Sequence, residues 1–319
     1  MKIVRFRLAT NQDKDSVLDF CKSTFSWGDY IDRVWDIWIS EPNGMLLVAE
    51  AENHVKKPIA IIHGILIPEK TIWIEGIRVD SEYRKQNLAT NLINQILEYG
   101  RRNGAIHSAA IVSLKNEASK RLMEKSKFEI LSKWSYISTN QIILPPTNNL
   151  KGNFKIADSN DYQQIINFLG NSENFKSSGK KFVNSWRWHD LSEDRLFTMI
   201  NNKQVIIVRK NKNNNDDDDK LQIRGIAITD REGYWNNQNI FQIVYIEADS
   251  EELLPSLVNK SLELALQHNE KHSYKNKNKY ERIQVFSPYR EYNSRIFTKS
   301  NITFSEQFLL YCKKIQDRL

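Results

Sequence analysis

Residues 73–104 read WIEGIRVDSEYRKQNLATNLINQILEYGRRNG, and this stretch decides the fold. Trp73 to Val79 is dense in β-branched and aromatic residues, and Asp80 and Ser81 bring turn and capping chemistry. Leu88, Leu92, Ile93, Ile96 and Leu97 then recur at helical spacing until Gly104 ends the run. The pattern predicts a strand, a tight turn and a helix. Arg84-Lys85-Gln86-Asn87-Leu88-Ala89-Thr90 fills the turn and sets two cations and a series of backbone N–H groups at a helix start. A pyrophosphate is well stabilised there, because unpaired amides and the helix dipole both favour negative charge.

The chain around it is long enough for two domains: 319 residues, 40% hydrophobic and 11% aromatic, a globular composition. Cys21 and Cys312 have no metal-ligand or redox spacing and are expected to be free thiols in a reducing compartment. The opening MKIVRFRLAT lacks an apolar signal core and no run of eighteen apolar residues occurs, so a cytoplasmic location away from membranes is expected. The net charge of +7 is scattered, apart from a Lys-rich stretch at 271–282 that reads as a solvated loop. No helix-turn-helix, zinc or RNP-like pattern accompanies it, which argues against nucleic acid; a basic surface also suits an anionic cofactor.

Working outward, Ile3 to Leu8 reads as a strand, with Thr10 and Asp13 as a capping pair before a helix through Val17, Leu18 and Cys21. An aromatic segment from Trp27 to Trp38 ends at Pro42-Asn43-Gly44, and Met45–Ala51 and Ile59–Ile67 form a hairpin. After the central strand and helix come a strand at Ala105–Leu114, a helix at Asn116–Lys127 and a strand at Phe128–Ile137. The result is a mixed α/β domain with a central sheet flanked by helices.

This order and the turn resemble the GNAT acetyltransferase superfamily. Arg84-Lys85-Gln86-Asn87-Leu88-Ala89 fits its Gln/Arg-x-x-Gly-x-Gly/Ala signature, with Asn87 where glycine is usual, and Asn tolerates positive φ better than most residues. Val79-Asp80-Ser81-Glu82-Tyr83 is similar to the family's Val-x-Pro-x-Tyr lead-in. Asn116 to Phe128 is similar to its Asn-x-x-Ala-x-x-Leu-Tyr-x-Lys-x-Gly-Phe segment. The resemblance implies a splayed sheet and acetyl-CoA as cofactor. It places the cofactor on Ile77, Arg78, Val79, Arg84, Lys85, Gln86, Asn87, Leu88, Ala89, Thr90, Asn116 and Ser119. It also puts Met123 where the family carries a tyrosine acid, and methionine cannot donate a proton, so Ser119, solvent or a helix N-terminus is left to help the thiolate leave.

Acetyl transfer needs a neutral amine, hence a group that takes its proton. Glu75 is the first candidate and His63, on the preceding strand, the reserve; Gly76 beside Glu75 predicts a bulge or close backbone approach. Gly28-Asp29-Tyr30, Trp38-Ile39-Ser40-Glu41-Pro42-Asn43 and Ile74-Glu75-Gly76-Ile77-Arg78-Val79 are similar to segments of histidine N-acetyltransferases and their relatives. That resemblance implies a free amino acid as acceptor, with Asp29 toward its ammonium and Trp27 and Tyr30 giving shape. Other amines remain as alternatives (a protein or peptide amine, a polyamine, an aminoglycoside), as does a non-catalytic acyl-CoA-binding sensor.

Residues 145–153 read as a linker between a catalytic domain at 1–144 and a second domain at 154–319. Lys155-Ile-Ala-Asp-Ser-Asn-Asp161 parallels Arg7-Leu-Ala-Thr-Asn-Gln-Asp13, and Trp186–Glu193 echoes Trp35–Glu41. Ile240–Ala248 takes the place of the cofactor strand, but Asp249-Ser250-Glu251-Glu252 follows it, and carboxylates repel phosphates. A degenerate GNAT-like domain without a phosphate loop is expected. No metal is expected, and the chain is expected to be a monomer or homodimer.

Overall fold

The computed structural model describes residues 4–22, 24, 28–51, 57–139, 152–210, 222–230, 240–250, 253–272, 282–289 and 304–315. Contacts divide the chain into two units, 1–130 with 310–319, and 131–309. The division falls ahead of the expected linker, and the last ten residues return to the first unit. Among the described residues no helix is long and apolar enough to cross a membrane.

The first unit opens with β1 (Val4–Leu8), α1 (Lys14–Cys21), α2 (Ile31–Trp38), β2 (Gly44–Ala51), β3 (Lys57–Ile67) and β4 (Thr71–Val79). After it come α3 (Leu88–Arg102), β5 (His107–Ser113) and α4 (Glu117–Lys125). Strands β1 to β4 pair antiparallel in sequence order, and β5 joins β4 in parallel through the α3 crossover. β2 and β3 are buried along most of their length. Helices cover both faces, so these strands read as continuous apolar runs rather than alternating ones. Residues 310–314 continue a strand beside β5, and just past it Ile315 N donates to Ile106 O (2.9 Å).

The second unit contains most of β6 (Glu129–Thr139), then β7 (Asn153–Ile156), α5 (Tyr162–Asn171), α6 (Glu173–Ser177), β8 (Lys181–Asn184) and β9 (Arg187–Asp190). It continues with α7 (Glu193–Asn201), β10 (Val205–Arg209), β11 (Ile223–Asp230), β12 (Ile240–Ala248), α8 (Leu253–His272), β13 (Arg282–Pro288) and the start of β14 (Phe304–Lys314). Its sheet runs β6-β13-β12-β11-β10-β7, with β12 and β13 parallel.

The repeat read from the sequence recurs in atomic detail. Thr10 N donates to Asp13 Oδ2 (2.8 Å), and Asp13 accepts from Arg7 Nη1 and Nη2 (2.7 and 2.8 Å). Asp158 N likewise donates to Asp161 Oδ2 (2.9 Å), and Asp161 pairs with Lys155 (2.9 Å) and Arg209 (2.7 Å). In both units a buried aspartate thus closes a capping box and is neutralised by cations.

The expected echo of α2 at Trp186 is corrected. Ser185 and Trp186 take left-handed φ values of 52° and 62° in the turn of the β8–β9 hairpin. Tertiary packing decides this: the Trp186 ring lies 4.8, 5.1 and 5.7 Å from the rings of Tyr136, Phe286 and Phe308. α8 continues to His272, into the start of the stretch read as a solvated loop.

Candidate active site

β4 and β5 pair at Thr71↔His107, Ile72↔Ser108 and Trp73↔Ala109, and beyond Trp73 the strands part. The remainder of β4 therefore presents an edge with no ladder partner from β5. On its other side β4 pairs with β3, with a register shift between Ile61 and His63 opposite Gly76. Gly76 has φ +68°, and a Cβ there would lie 2.4 Å from Trp38 Cη2. The bulge and the close approach expected at this glycine are one feature: the left-handed backbone admits the Trp38 ring against the strand.

Trp38 in turn stacks on His63, with centroids 4.7 Å apart and planes at 9°, and meets Tyr30 edge-on at 6.1 Å. His63 is fully buried in β3. Its Nδ1 lies 3.0 Å from Glu75 Oε1, and its Nε2 lies 3.7 Å from Glu41 Oε2. Glu41 comes from the α2–β2 turn, and a carboxylate oxygen from each of Glu41 and Glu75 and a ring nitrogen of His63 all lie within 4.8 Å of one another. One step along β4, Arg78 Nε donates to Asp29 Oδ2 (2.7 Å) and Nη2 to Asp29 Oδ1 (3.1 Å). Asp29 Oδ1 also accepts from the backbone of Tyr30 and Ile31 (2.7 and 3.2 Å). Burial works against the Arg78 charge, but Tyr30 and Asp29 outweigh it and hold the guanidinium protonated. Burial also raises the Tyr30 phenol, and it pushes the Cys21 thiol up to about 12, which leaves that cysteine unreactive.

The turn at the end of β4 has the features its sequence calls for. Asp80 accepts from Glu82 N and starts a short 3₁₀ turn. Lys85 and Asn87 are left-handed, both with φ 62°, so Asn87 does the work of the missing glycine. Arg84, Lys85, Gln86 and Asn87 are exposed, and Leu88, Ala89 and Thr90 open α3, where no preceding turn supplies acceptors for their N–H groups. Arg84 Nε donates to Val79 O (3.3 Å) and Arg78 Nη1 to Ile77 O (3.0 Å). Lys125 Nζ reaches Asn87 Oδ1 (2.9 Å). Asn116 caps α4 by accepting from Ser119 N (3.0 Å), and Met123 is buried. These donors, cations and left-handed turns fit an anionic diphosphate cofactor.

The structure thus brings Glu75, Asp29, Tyr30, Ile77, Arg78 and Val79 together around β4, and Arg84 to Thr90 at its end. Trp27 lies outside the described residues. The approach of Glu41 to His63 is not among the sequence expectations. The signal was its place in Trp38-Ile39-Ser40-Glu41-Pro42-Asn43, a segment whose tryptophan and glutamate both return to His63.

In the second unit, β12 carries no counterpart of these groups. Tyr245 donates to Glu247 Oε2 (2.5 Å), Ser172 also donates to Glu247, and Phe175, Trp134 and Trp188 pack around Tyr245 and each other. Asp249, at the end of β12, is paired with Arg224 at 2.9 and 3.1 Å.

Residues 15–128 match the Acetyltransferase (GNAT) family. A GCN5-related N-acetyltransferase from Sphaerobacter thermophilus superposes with a TM-score of 0.63 at 9% identity, covering 99% of this chain and 97% of that one. A tandem GNAT protein from the clavulanic acid biosynthesis pathway gives 0.51 at 9% identity, over 99% and 100% of the two chains. A putative acetyltransferase from Thermoplasma acidophilum gives 0.50 at 12% identity, over 97% and 99%. No curated protein matches the sequence significantly. Over the matched stretch, about a third of the chain, the sequence is similar to GNAT acetyltransferases, enzymes that transfer an acetyl group from acetyl-CoA to an amine.

Proposed function

We propose that the first unit acetylates the primary amine of a small molecule, a free amino acid foremost, with Glu75 as the base. The observation that carries this reading is the opening along β4, where an ionisable carboxylate stands beside a strand edge that β5 leaves unpaired. Acetyl-CoA supplies the acetyl group as an activated thioester. Arg84 and Lys85, with Gln86, Asn87 and the first-turn amides of Leu88, Ala89 and Thr90, grip the diphosphate through charge-assisted bonds. The edge at Ile77, Arg78 and Val79 orients the pantetheine arm, with Asn116 and Ser119 assigned to the same arm.

On the acceptor side Glu75 takes the proton that an attacking amine must lose, and holding amine and thioester side by side supplies much of the remaining acceleration. Asp29 and Tyr30 are assigned to the acceptor side, and the likeness of the segment at 28–30 assigns Trp27 there as well. Because Asp29 is doubly bonded to Arg78, it meets an ammonium only with the charge that pair leaves over. The likeness of the segments at 28–30, 38–43 and 74–79 to those of histidine N-acetyltransferases supports an amino acid acceptor. The second unit, with acids at 249–252, binds no cofactor.

One observation favours a non-catalytic acyl-CoA-binding module instead: Met123 is buried where a proton donor is usual. Coenzyme A release, followed with free L-amino acids, spermidine, a peptide N-terminus and an aminoglycoside, separates these readings. Turnover on an amino acid is expected. Turnover confined to another amine moves the acceptor, and acetyl-CoA binding without turnover on any amine overturns the enzyme reading.

A further inference from the structure

We infer that Glu41, His63 and Glu75 work as one unit, in which a proton shared between His63 and Glu41 makes His63 the positioning residue for Glu75. The inference rests on Glu75 being the base. A carboxylate only accepts, so at 3.0 Å the His63 Nδ1 donates to Glu75 Oε1. That commits one ring nitrogen and leaves Nε2, which is buried, has no hydrogen-bond partner and faces Glu41 Oε2 across 3.7 Å. A bare ring nitrogen there would set two acceptors against each other in a site with little water to separate them.

A proton on Nε2 removes the conflict. The ring then carries its charge between two carboxylates, and a sub-ångström adjustment brings Nε2 to a charge-assisted bond of ~2.8 Å with Glu41. The surroundings are built for this ring position. Trp38 stacks on one face, Leu46 is the β2 partner of His63, and at Gly44 a Cβ would lie 3.0 Å from Nε2, so the glycine keeps that space clear. A metal ion fits less well. With Nδ1 committed to Glu75, an ion at Nε2 would find only Nε2 and Glu41, short of the about three or four protein ligands that hold zinc.

The consequence falls on Glu75. A cation against its carboxylate favours the charged, proton-accepting form and keeps it available to lower pH. Arg78 and Asp29, further along the same strand edge, form a mutually neutralising pair with the Tyr30 phenol beside them. Leu46 and Trp38, which lie against the ring, are uncharged. Removing the Glu41 charge loosens the shared proton, withdraws the cation from Glu75, raises that carboxylate's proton affinity, and so moves the acid limb of the rate upward in pH.

The test compares wild type, Glu41→Gln, Glu41→Asp, His63→Gln and Glu75→Gln. Acetyl transfer to the best amino acid acceptor is followed against pH, and ¹⁵N-histidine NMR is read in parallel, with His63 assigned by its loss in His63→Gln. In wild type near neutral pH both ring nitrogens of His63 should be protonated, and in Glu41→Gln only Nδ1. The acid limb of kcat/KM should rise in Glu41→Gln, return in Glu41→Asp, and leave the KM for acetyl-CoA unchanged. A singly protonated ring in both proteins, or a slower Glu41→Gln enzyme with an unmoved limb, overturns the inference. Unaltered turnover and pH profile in Glu75→Gln overturns the base assignment itself, so the two failures are told apart.

Discussion

Strands β4 and β12 occupy matching places in the two units and have opposite surroundings. Each is nine residues long, pairs in parallel with the next strand only over its first few positions, and is followed by an aspartate. Counted from their starts, Glu75, Gly76 and Arg78 stand where Val244, Tyr245 and Glu247 stand. In β4 the glycine bulge admits Trp38 and leaves partly exposed groups along the strand. In β12 all nine residues are buried, and Tyr245 fills the space with an aromatic ring packed on Phe175 and Trp134. The parting of the strands is thus a property of the fold, and what the opening holds depends on a few side chains. In one unit these make a polar network beside an exposed cationic turn, in the other an aromatic plug beside an acidic one.

Four substitutions probe the contrast. Glu75→Gln leaves this position of β4 as unable to take a proton as Val244 is at the matching position of β12, and acetyl transfer near neutral pH should fall by roughly 10²–10⁴-fold. Wild-type turnover would show that the comparison misplaces the base. Gly76→Val brings a branched side chain to a left-handed position already filled by Trp38, and should cost about 2–4 kcal/mol in urea unfolding. An unchanged midpoint would mean that the bulge can relax. Arg84→Ala or Lys85→Ala alone should weaken acetyl-CoA binding by about 1.5–3 kcal/mol, the loss of one charge-assisted bond. Unaltered affinity would remove the turn from the phosphate site.

Much of this contrast is legible in the sequence because it is local. The bulge at Gly76, the left-handed Asn87, the capping boxes at Asp13 and Asp161, and the missing cations after β12 each follow from a few adjacent residues whose backbone needs are known. What escaped depends on partners far apart in the chain. Arg78 takes up Asp29 from 49 positions away. Glu41 returns to His63 only because α2 lies against the bulge, and the final strand returns to the first unit. At Trp186 the local echo of a helix lost to the packing of a large, half-buried ring against Tyr136, Phe286 and Phe308.

The central claim is that two similar units hold one cofactor site, at the end of β4. Calorimetric titration of the full chain with acetyl-CoA tests it most directly, in wild type and in the Arg84→Ala, Lys85→Ala double variant. One site per chain, lost or strongly weakened in the double variant, is the predicted result. Two sites per chain, or one that the double variant leaves intact, would contradict it.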